Sequence, residues 1–318
     1  MSKFAFVFPG QGTHYVGMGM ELADCYPQAR AIFDQASEVL GMDIGRLCRN
    51  GPDSELVKTE NSQPTIHTTS LAILKVVEHY GFSAQVAAGF SLGEYAALVY
   101  AGALRFEDTV GLVRQRGLFM QAAVPQGLGK MCLISGLDRS DVEQIVADAG
   151  AATGELIECS NFNCPGQIIV AGQSRAVDHA ALLANSREAT TNFLKVSGPF
   201  HTSLLTGAGQ QLHQQLSALA LGPLDKKVPS NVTAQYYTDR DDIRQLLDEH
   251  VYKAVRWEEC VATMLNDGVD TFVEIGPKRS LTTYNEVIAR ARGVKARCLN
   301  IENIETLEFF LRVMEKAR

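Results

Sequence analysis

Residues Gly89-Phe90-Ser91-Leu92-Gly93 form a G-x-S-x-G between an apolar run, Ala84 to Ala88, and a helix-like run, Glu94 to Ala103. A serine on a sharp strand-to-helix turn has its hydroxyl lifted clear of the sheet. The helix that follows points its positive end at any negative charge formed there. Glycines on both sides let the backbone crowd where a side chain would clash. The chemistry such a turn serves is nucleophilic attack on a carbonyl. A glycine-rich connection with a serine cap has the same five residues, so the pentapeptide leaves both readings open.

A serine hydroxyl is a poor nucleophile at neutral pH and needs a base within hydrogen-bond reach. Histidines stand at 14, 67, 79, 179, 201, 213 and 250. His79 and His179 fall in helical surface patterns, and His213 lies in a run of glutamines, so these three read as solvated. His201 follows Ser197-Gly198-Pro199-Phe200, a stiff turn joining a strand to a helix. A loop-borne, rigidly held position suits a catalytic group, although taken alone a helix-cap histidine is the commoner case.

Arg116 is the third sharp feature. Residues 112, 116, 119 and 123 share one helix face, and Leu112, Phe119 and Ala123 are apolar. A guanidinium on that stripe must find an anion, because an unpaired buried charge is very costly. The anion is either an internal Asp or Glu or a carboxylate on a substrate, held by the two-pronged fork. Arg114 lies on a more polar arc and reads as a surface residue. Gly10-Gln11-Gly12 fails as a dinucleotide fingerprint, since the third glycine would fall at Tyr15. It reads better as a tight turn supplying a backbone N–H. Acyl transfer needs two donors for the oxyanion: Leu92, next to the serine, would give one and Gln11 the other.

The elements that must carry these residues alternate. Phe4 to Phe8 reads as a strand, Tyr26 to Leu40 and Thr69 to Tyr80 as helices, Gln85 to Ala88 as a strand, and Phe106 to Val124 as a helix. This predicts an α/β core with a mostly parallel sheet. Between Pro125-Gln126-Gly127 and Ser197-Gly198-Pro199 the pattern changes. Strands at Lys130–Ser135, Leu156–Asn161, Gln167–Ala171 and Thr191–Val196, with helices at 138–149 and 174–186, give the βαββαβ order of a ferredoxin-like unit. The expected division is therefore a large domain of residues 1–125 and 197–318 and an inserted subdomain of 126–196. Beyond Phe200 the reading is a helix to about Leu219, then loops, then a strand at Asp270 to Glu274.

Composition bounds the rest. The chain has 318 residues, 46% hydrophobic and 20% charged, which is enough for one large core and a smaller unit. The net charge of -7 gives no electrostatic case for nucleic acid or an anionic membrane. Seven dispersed cysteines, with no C-x-x-C pair, fit reduced thiols better than a disulfide frame or a zinc site. No stretch approaches a membrane span, and Met1-Ser2-Lys3-Phe4 runs directly into a strand. The expectation is a soluble cytoplasmic monomer without a metal.

At this point a resemblance emerges. The chain resembles the malonyl-CoA:acyl-carrier-protein transacylase family and related polyketide acyltransferase domains. It does so through Phe8-Pro9-Gly10-Gln11-Gly12, Gln63-Pro64, Gly89-Phe90-Ser91-Leu92-Gly93-Glu94-Tyr95, Arg116-Gly117, Asn161-Phe162-Asn163-Cys164-Pro165-Gly166-Gln167, Ser197-Gly198-Pro199-Phe200-His201-Thr202 and Glu274-Ile275-Gly276-Pro277. The resemblance implies an α/β-hydrolase-like core with an inserted ferredoxin-like subdomain. It implies Ser91 as nucleophile, His201 as base, Gln11 and Leu92 as oxyanion donors, and Arg116 as the malonyl carboxylate clamp. Gln63, Phe200, Asn161 and Asn163 would line the substrate site, with Phe200 crowding out a branched acyl group. No cofactor is implied beyond the substrate malonyl-CoA and the phosphopantetheine of the partner, an acyl carrier protein. Lys130, Arg187, Lys195 and Arg279 are candidates for docking that acidic partner.

Two positions depart from the family pattern. Phe90 stands where histidine often precedes the nucleophile. His250 stands where glutamine is usual, in the segment whose backbone carbonyl holds the base's other ring nitrogen. The alternatives are a trans-acting polyketide acyltransferase and a thioester hydrolase. A hydrolase would carry an acid between serine and histidine to orient the base, and no acid in that interval stands out.

Overall fold

The computed structural model describes residues 3–125, 127–196, 198–238 and 243–316. It contains two sheets. Strands β1 (Phe4–Phe8), β2 (Val86–Gly89), β7 (Thr271–Ile275) and β8 (Arg297–Ile301) form a parallel sheet in the order β2-β1-β7-β8. Strands β3 (Gly129–Ser135), β4 (Ile157–Cys164), β5 (Gln167–Gln173) and β6 (Thr190–Phe193) form an antiparallel sheet in the order β4-β5-β3-β6.

The chain divides into two compact units, residues 1–117, 219–229 and 262–318, and residues 118–218 and 230–261. The first unit holds the parallel sheet. Its strands are buried and mostly apolar, as in Ala5-Phe6-Val7-Phe8 of β1, Val86-Ala87-Ala88-Gly89 of β2 and Thr271–Ile275 of β7, where only Thr271 and Glu274 are polar, as expected where both faces of a parallel sheet are covered. The helix Thr59–His79 is buried along most of its length. It begins ten residues before the expected start at Thr69. Its first half is polar yet buried (Asn61, Ser62, Gln63, Thr65, His67, Thr68), so hydrophobic periodicity could not reveal it.

The second unit holds the antiparallel sheet. The helices Arg139–Thr153 and Ser174–Ser186 pack on it through Val142, Ile145, Val177 and Ala180 against Ile134 and Val170. This unit is wider than the segment 126–196. Val255 N–H donates to Ser160 O, and Phe162 N–H donates to Val255 O, both at 2.9 Å, so residues 230–261 are stitched to β4. Strand β4 itself runs on through Asn163 and Cys164, which leaves Pro165-Gly166 as the turn. After Phe200 come one 3-10 turn, Ser203–Leu205, and the helix Thr206–Ser217. Loops were expected next, but helices Ile243–Tyr252 and Trp257–Asn266 occupy this stretch. Gln126 and Ser197, at the expected boundaries, lie outside the described residues.

The buried helix carries one ionisable group with a clear cost. The Thr109 hydroxyl donates to the carbonyls of Arg105 and Phe106, so it accepts from His67 Nε2–H at 3.0 Å. Nδ1 of His67 has no partner, and its ring stacks on Phe106. Burial pushes the His67 imidazole down to about 3. The unfolded chain therefore takes up a proton near pH 6.5 that the folded chain refuses, and stability is lost as pH falls from about 6.5 toward 3. From pH 6.5 to 5 the loss from this group should be about 1.6 kcal/mol. Urea titrations of the wild type and His67→Asn at both pH values test this; an equal acid loss in the two proteins refutes it.

Candidate active site

The first unit builds the turn at Ser91 from the sheet outward. Strand β2 ends at Gly89, Phe90 N–H donates to Phe8 O at 3.0 Å, and Gly93 N–H closes the turn on Phe90 O at 2.9 Å. Ser91 is held in the left-handed region (φ 50), a conformation that costs a non-glycine residue energy and that only the surrounding structure can enforce. The glycines are required by contact. A Cβ on Gly89 would lie 1.8 Å from the Gly93 carbonyl carbon, and one on Gly93 would lie 2.0 Å from Phe8 O. The helix Gly93–Tyr100 thus crosses β1 and β2 at a distance no side chain permits.

The Ser91 hydroxyl is joined to a polar chain. Arg116, on the helix Phe106–Ala122, donates from Nη2 to Ser91 Oγ at 3.1 Å and from Nη1 to Gln63 Oε1 at 2.9 Å. Gln63 Nε2 reaches Gln11 Oε1 at 3.4 Å, and Gln11 Nε2 donates to Thr59 Oγ1 at 3.2 Å. Arg116 is 1% exposed, and its Nε has no partner. Among the described residues no carboxylate lies within ion-pair distance of it. Burial holds the guanidinium below its usual range, opposed by Tyr95 and Glu94. The Tyr95 ring lies under it, 5.6 Å from centroid to Cζ. Of the two fates open to Arg116 in the sequence, an internal ion pair is thus not found among the described residues. Two main-chain donors stand ready as well: among the described residues neither Gln11 N–H nor Leu92 N–H is bonded to an acceptor. Sequence reasoning gave no role to Thr59 or Tyr95. Tyr95 stands four residues after Ser91 at the start of a helix, and that spacing was the available signal.

The second unit carries His201, also left-handed (φ 61) and 4% exposed. Its Nδ1 donates to His250 O at 2.7 Å and its N–H to Val251 O at 3.2 Å. The turn around it is fastened by Thr202 Oγ1 donating to Pro199 O and by Glu158, whose carboxylate takes both the N–H and the hydroxyl of Ser203. Nothing in the sequence flagged Glu158. Phe200 is buried, with its ring 3.3 Å from where a Gly198 Cβ would stand. Among the described residues, Asn161 accepts from the Ser160 hydroxyl and is joined to no other candidate residue, and the buried Oδ1 of Asn163 has no partner.

Other expectations shift. His213 is half-buried rather than solvated, its Nδ1 2.6 Å from Asp248. Of the docking candidates, Lys130 pairs with Asp178, Arg187 with Asp141 and Asp148, and Arg279 with Glu286. Lys195 is exposed and forms no ion pair among the described residues. No group of three or more metal-ligating side chains occurs among the described residues, and no helix there is long and apolar enough to cross a membrane.

The acyl transferase domain model matches residues 5–317. A malonyl CoA-acyl carrier protein transacylase of Bacillus subtilis (strain 168) is 40% identical over 317 residues, 99% of this chain and 98% of the relative. The crystal structure of malonyl CoA-acyl carrier protein transacylase from Clostridium perfringens superposes with a TM-score of 0.94 at 37% identity, covering 99% of this chain and 98% of that one. A structure described as a type II PKS acyl-carrier protein in complex with its malonyl-transacylase matches at a TM-score of 0.91 and 36% identity, over 96% and 98% of the two chains.

The close crossing at the turn is open to direct test. Gly93→Ala should cost more than about 2 kcal/mol in a denaturant titration, because its Cβ meets main chain that cannot move aside. Gly111→Ala, on an open helix face, should be neutral or stabilising by up to about 1 kcal/mol. Equal effects at the two sites would contradict the steric account.

Proposed function

This chain belongs to the acyl transferase domain family, and we propose that it transfers malonyl from malonyl-CoA to the phosphopantetheine thiol of an acyl carrier protein in fatty-acid synthesis. The observation that carries the reading is a buried guanidinium, bonded to the nucleophile's oxygen, with no carboxylate partner among the described residues. A substrate with a free carboxylate supplies the missing anion, and a two-pronged contact would place its thioester carbon beside Ser91. The malonyl CoA-acyl carrier protein transacylases at 40% identity support the same substrate and acceptor.

In this mechanism His201 Nε2 takes the Ser91 proton while His250 O holds Nδ1–H. That bond fixes the tautomer that carries its lone pair on Nε2. Ser91 Oγ attacks the thioester carbon, and the Gln11 and Leu92 N–H groups, both without acceptors among the described residues, take the oxyanion. The C–S bond breaks, CoA leaves with the proton from His201, and malonyl-Ser91 remains. The carrier thiol then gives its proton to His201 and attacks the ester, restoring Ser91. Phe200 limits branching at the acyl α-carbon, and Gln63, Asn161 and Asn163 line the path. The reaction needs no metal or redox group.

Finer points of architecture belong to this reading. The parallel order β2-β1-β7-β8 with its strand-serine-helix turn supports a hydrolase-like core. The antiparallel order β4-β5-β3-β6, reached by βαββαβ connections, supports a ferredoxin-like unit. We take its limits as 126–196, within the wider packing unit, and the protein as a cytoplasmic monomer. A polyketide carrier as acceptor is the second reading, favoured by the likeness to the type II PKS complex.

Intact-mass measurement after mixing with acyl-CoA tests the assignment. Ser91→Ala should take no acyl group. Arg116→Ala should load malonyl at least about a hundredfold more slowly, while acetyl loading stays level or rises, since a neutral acyl group leaves the wild-type guanidinium unmatched. Equal loss of malonyl and acetyl loading would make Arg116 a structural residue.

A further inference from the structure

His250 contributes more to His201 than a main-chain carbonyl. Its side chain is fully buried, and the two imidazole rings lie with centroids 5.3 Å apart and planes 31° apart. One residue therefore meets His201 twice, at an edge through its carbonyl and across a face through its ring.

The hydrogen bond to His250 O fixes one atom of the His201 ring. It leaves the ring free to swing about that anchor, and the swing moves Nε2, the atom on the far side. A ring laid against one face opposes this motion. The wall is itself firmly held. The helix Ile243–Tyr252 is tied to the helix Thr206–Ser217 by the His213–Asp248 contact at 2.6 Å, and by Arg244 Nε donating to Leu216 O. A Cβ on Gly209 would lie 2.6 Å from the Tyr252 ring, so the two helices touch closely there.

We propose that the imidazole of His250 is a positioning residue, which fixes the plane of the His201 ring and with it the direction of the Nε2 lone pair. The proposal rests on His201 being the base. It assigns the work to ring shape rather than to charge. Phenylalanine should therefore replace His250, and a flexible glutamine or a small alanine should not.

Single-turnover loading from malonyl-CoA at neutral pH, followed by quenched intact mass, separates the possibilities. His250→Ala should lower the saturating loading rate by about tenfold or more, the scale expected of a misaimed catalytic group. The malonyl-CoA concentration at half-saturation should stay within about twofold, as expected when ground-state binding is untouched. His250→Phe should recover the rate to within about threefold. Full activity of His250→Ala overturns the proposal, as does a phenylalanine variant no faster than the alanine one. If the alanine protein does not fold, the remaining pair decides: phenylalanine faster than glutamine supports the proposal, and glutamine equal or faster overturns it. His201→Ala is the separate control. Loading by that variant at the wild-type rate would remove the base assignment itself, whatever the His250 variants do.

Discussion

A guanidinium buried from solvent, with no carboxylate partner among the described residues, is the constraint around which the first unit is arranged. Arg116 is buried, and the oxygens that receive its N–H groups are neutral: a glutamine amide and a serine hydroxyl. Neutral acceptors recover part of the hydration lost on burial but not the charge–charge term a carboxylate would give. The incomplete match explains why the helix Thr59–His79 keeps a polar first half inside the protein. Gln63 needs that position to reach Arg116, and Thr59 needs it to orient Gln11. A stable apolar helix at this place would strand the cation.

The same arrangement restrains Ser91. Ser91 and His201 both occupy the left-handed region, in different units and on different kinds of turn. In each case backbone bonds from neighbouring elements hold the strained residue. Phe8 O holds the turn at Phe90, and Val251 O holds His201 N–H. Strain of this kind persists only where the surroundings over-determine the conformation. That accounts for the steric tightness at Gly89 and Gly93, where helix and strands meet without room for a methyl group.

Much of this was legible in the sequence because the responsible signals are local. The elbow glycines, the stiff Gly198-Pro199 turn and an arginine on an apolar stripe each state their requirement within a few residues. Strand and helix assignments held where the buried residues are apolar, as in the continuous apolar run of β5 and the amphipathic helix Ser174–Ser186. The start at Thr59 was missed because the buried first half of that helix is polar, and helices Ile243–Tyr252 and Trp257–Asn266, although their buried faces are mostly apolar, were read as loops. Long-range roles left no trace either. Glu158 clamps the turn beyond His201 from a strand more than forty positions away, and Val255 extends β4 from a segment read as part of the other domain.

Polar burial and catalytic reading bear on each other through selectivity. A hydrolase for neutral acyl esters gains nothing from a buried cation beside its serine and would bear its desolvation in every state. For a carboxylate-bearing substrate the same cation is incompletely matched in the free protein and matched once the substrate is bound, so its burial turns into discrimination. In the proposed mechanism the guanidinium that accepts the carboxylate is also the group now bonded to Ser91 Oγ. A carboxylate competing for Nη2 would then free an oxygen lone pair on Ser91 as the acyl group arrives. A neutral acyl group provides no such exchange. The fork thus links recognition of the acyl chain's far end to the readiness of the oxygen that attacks its near end.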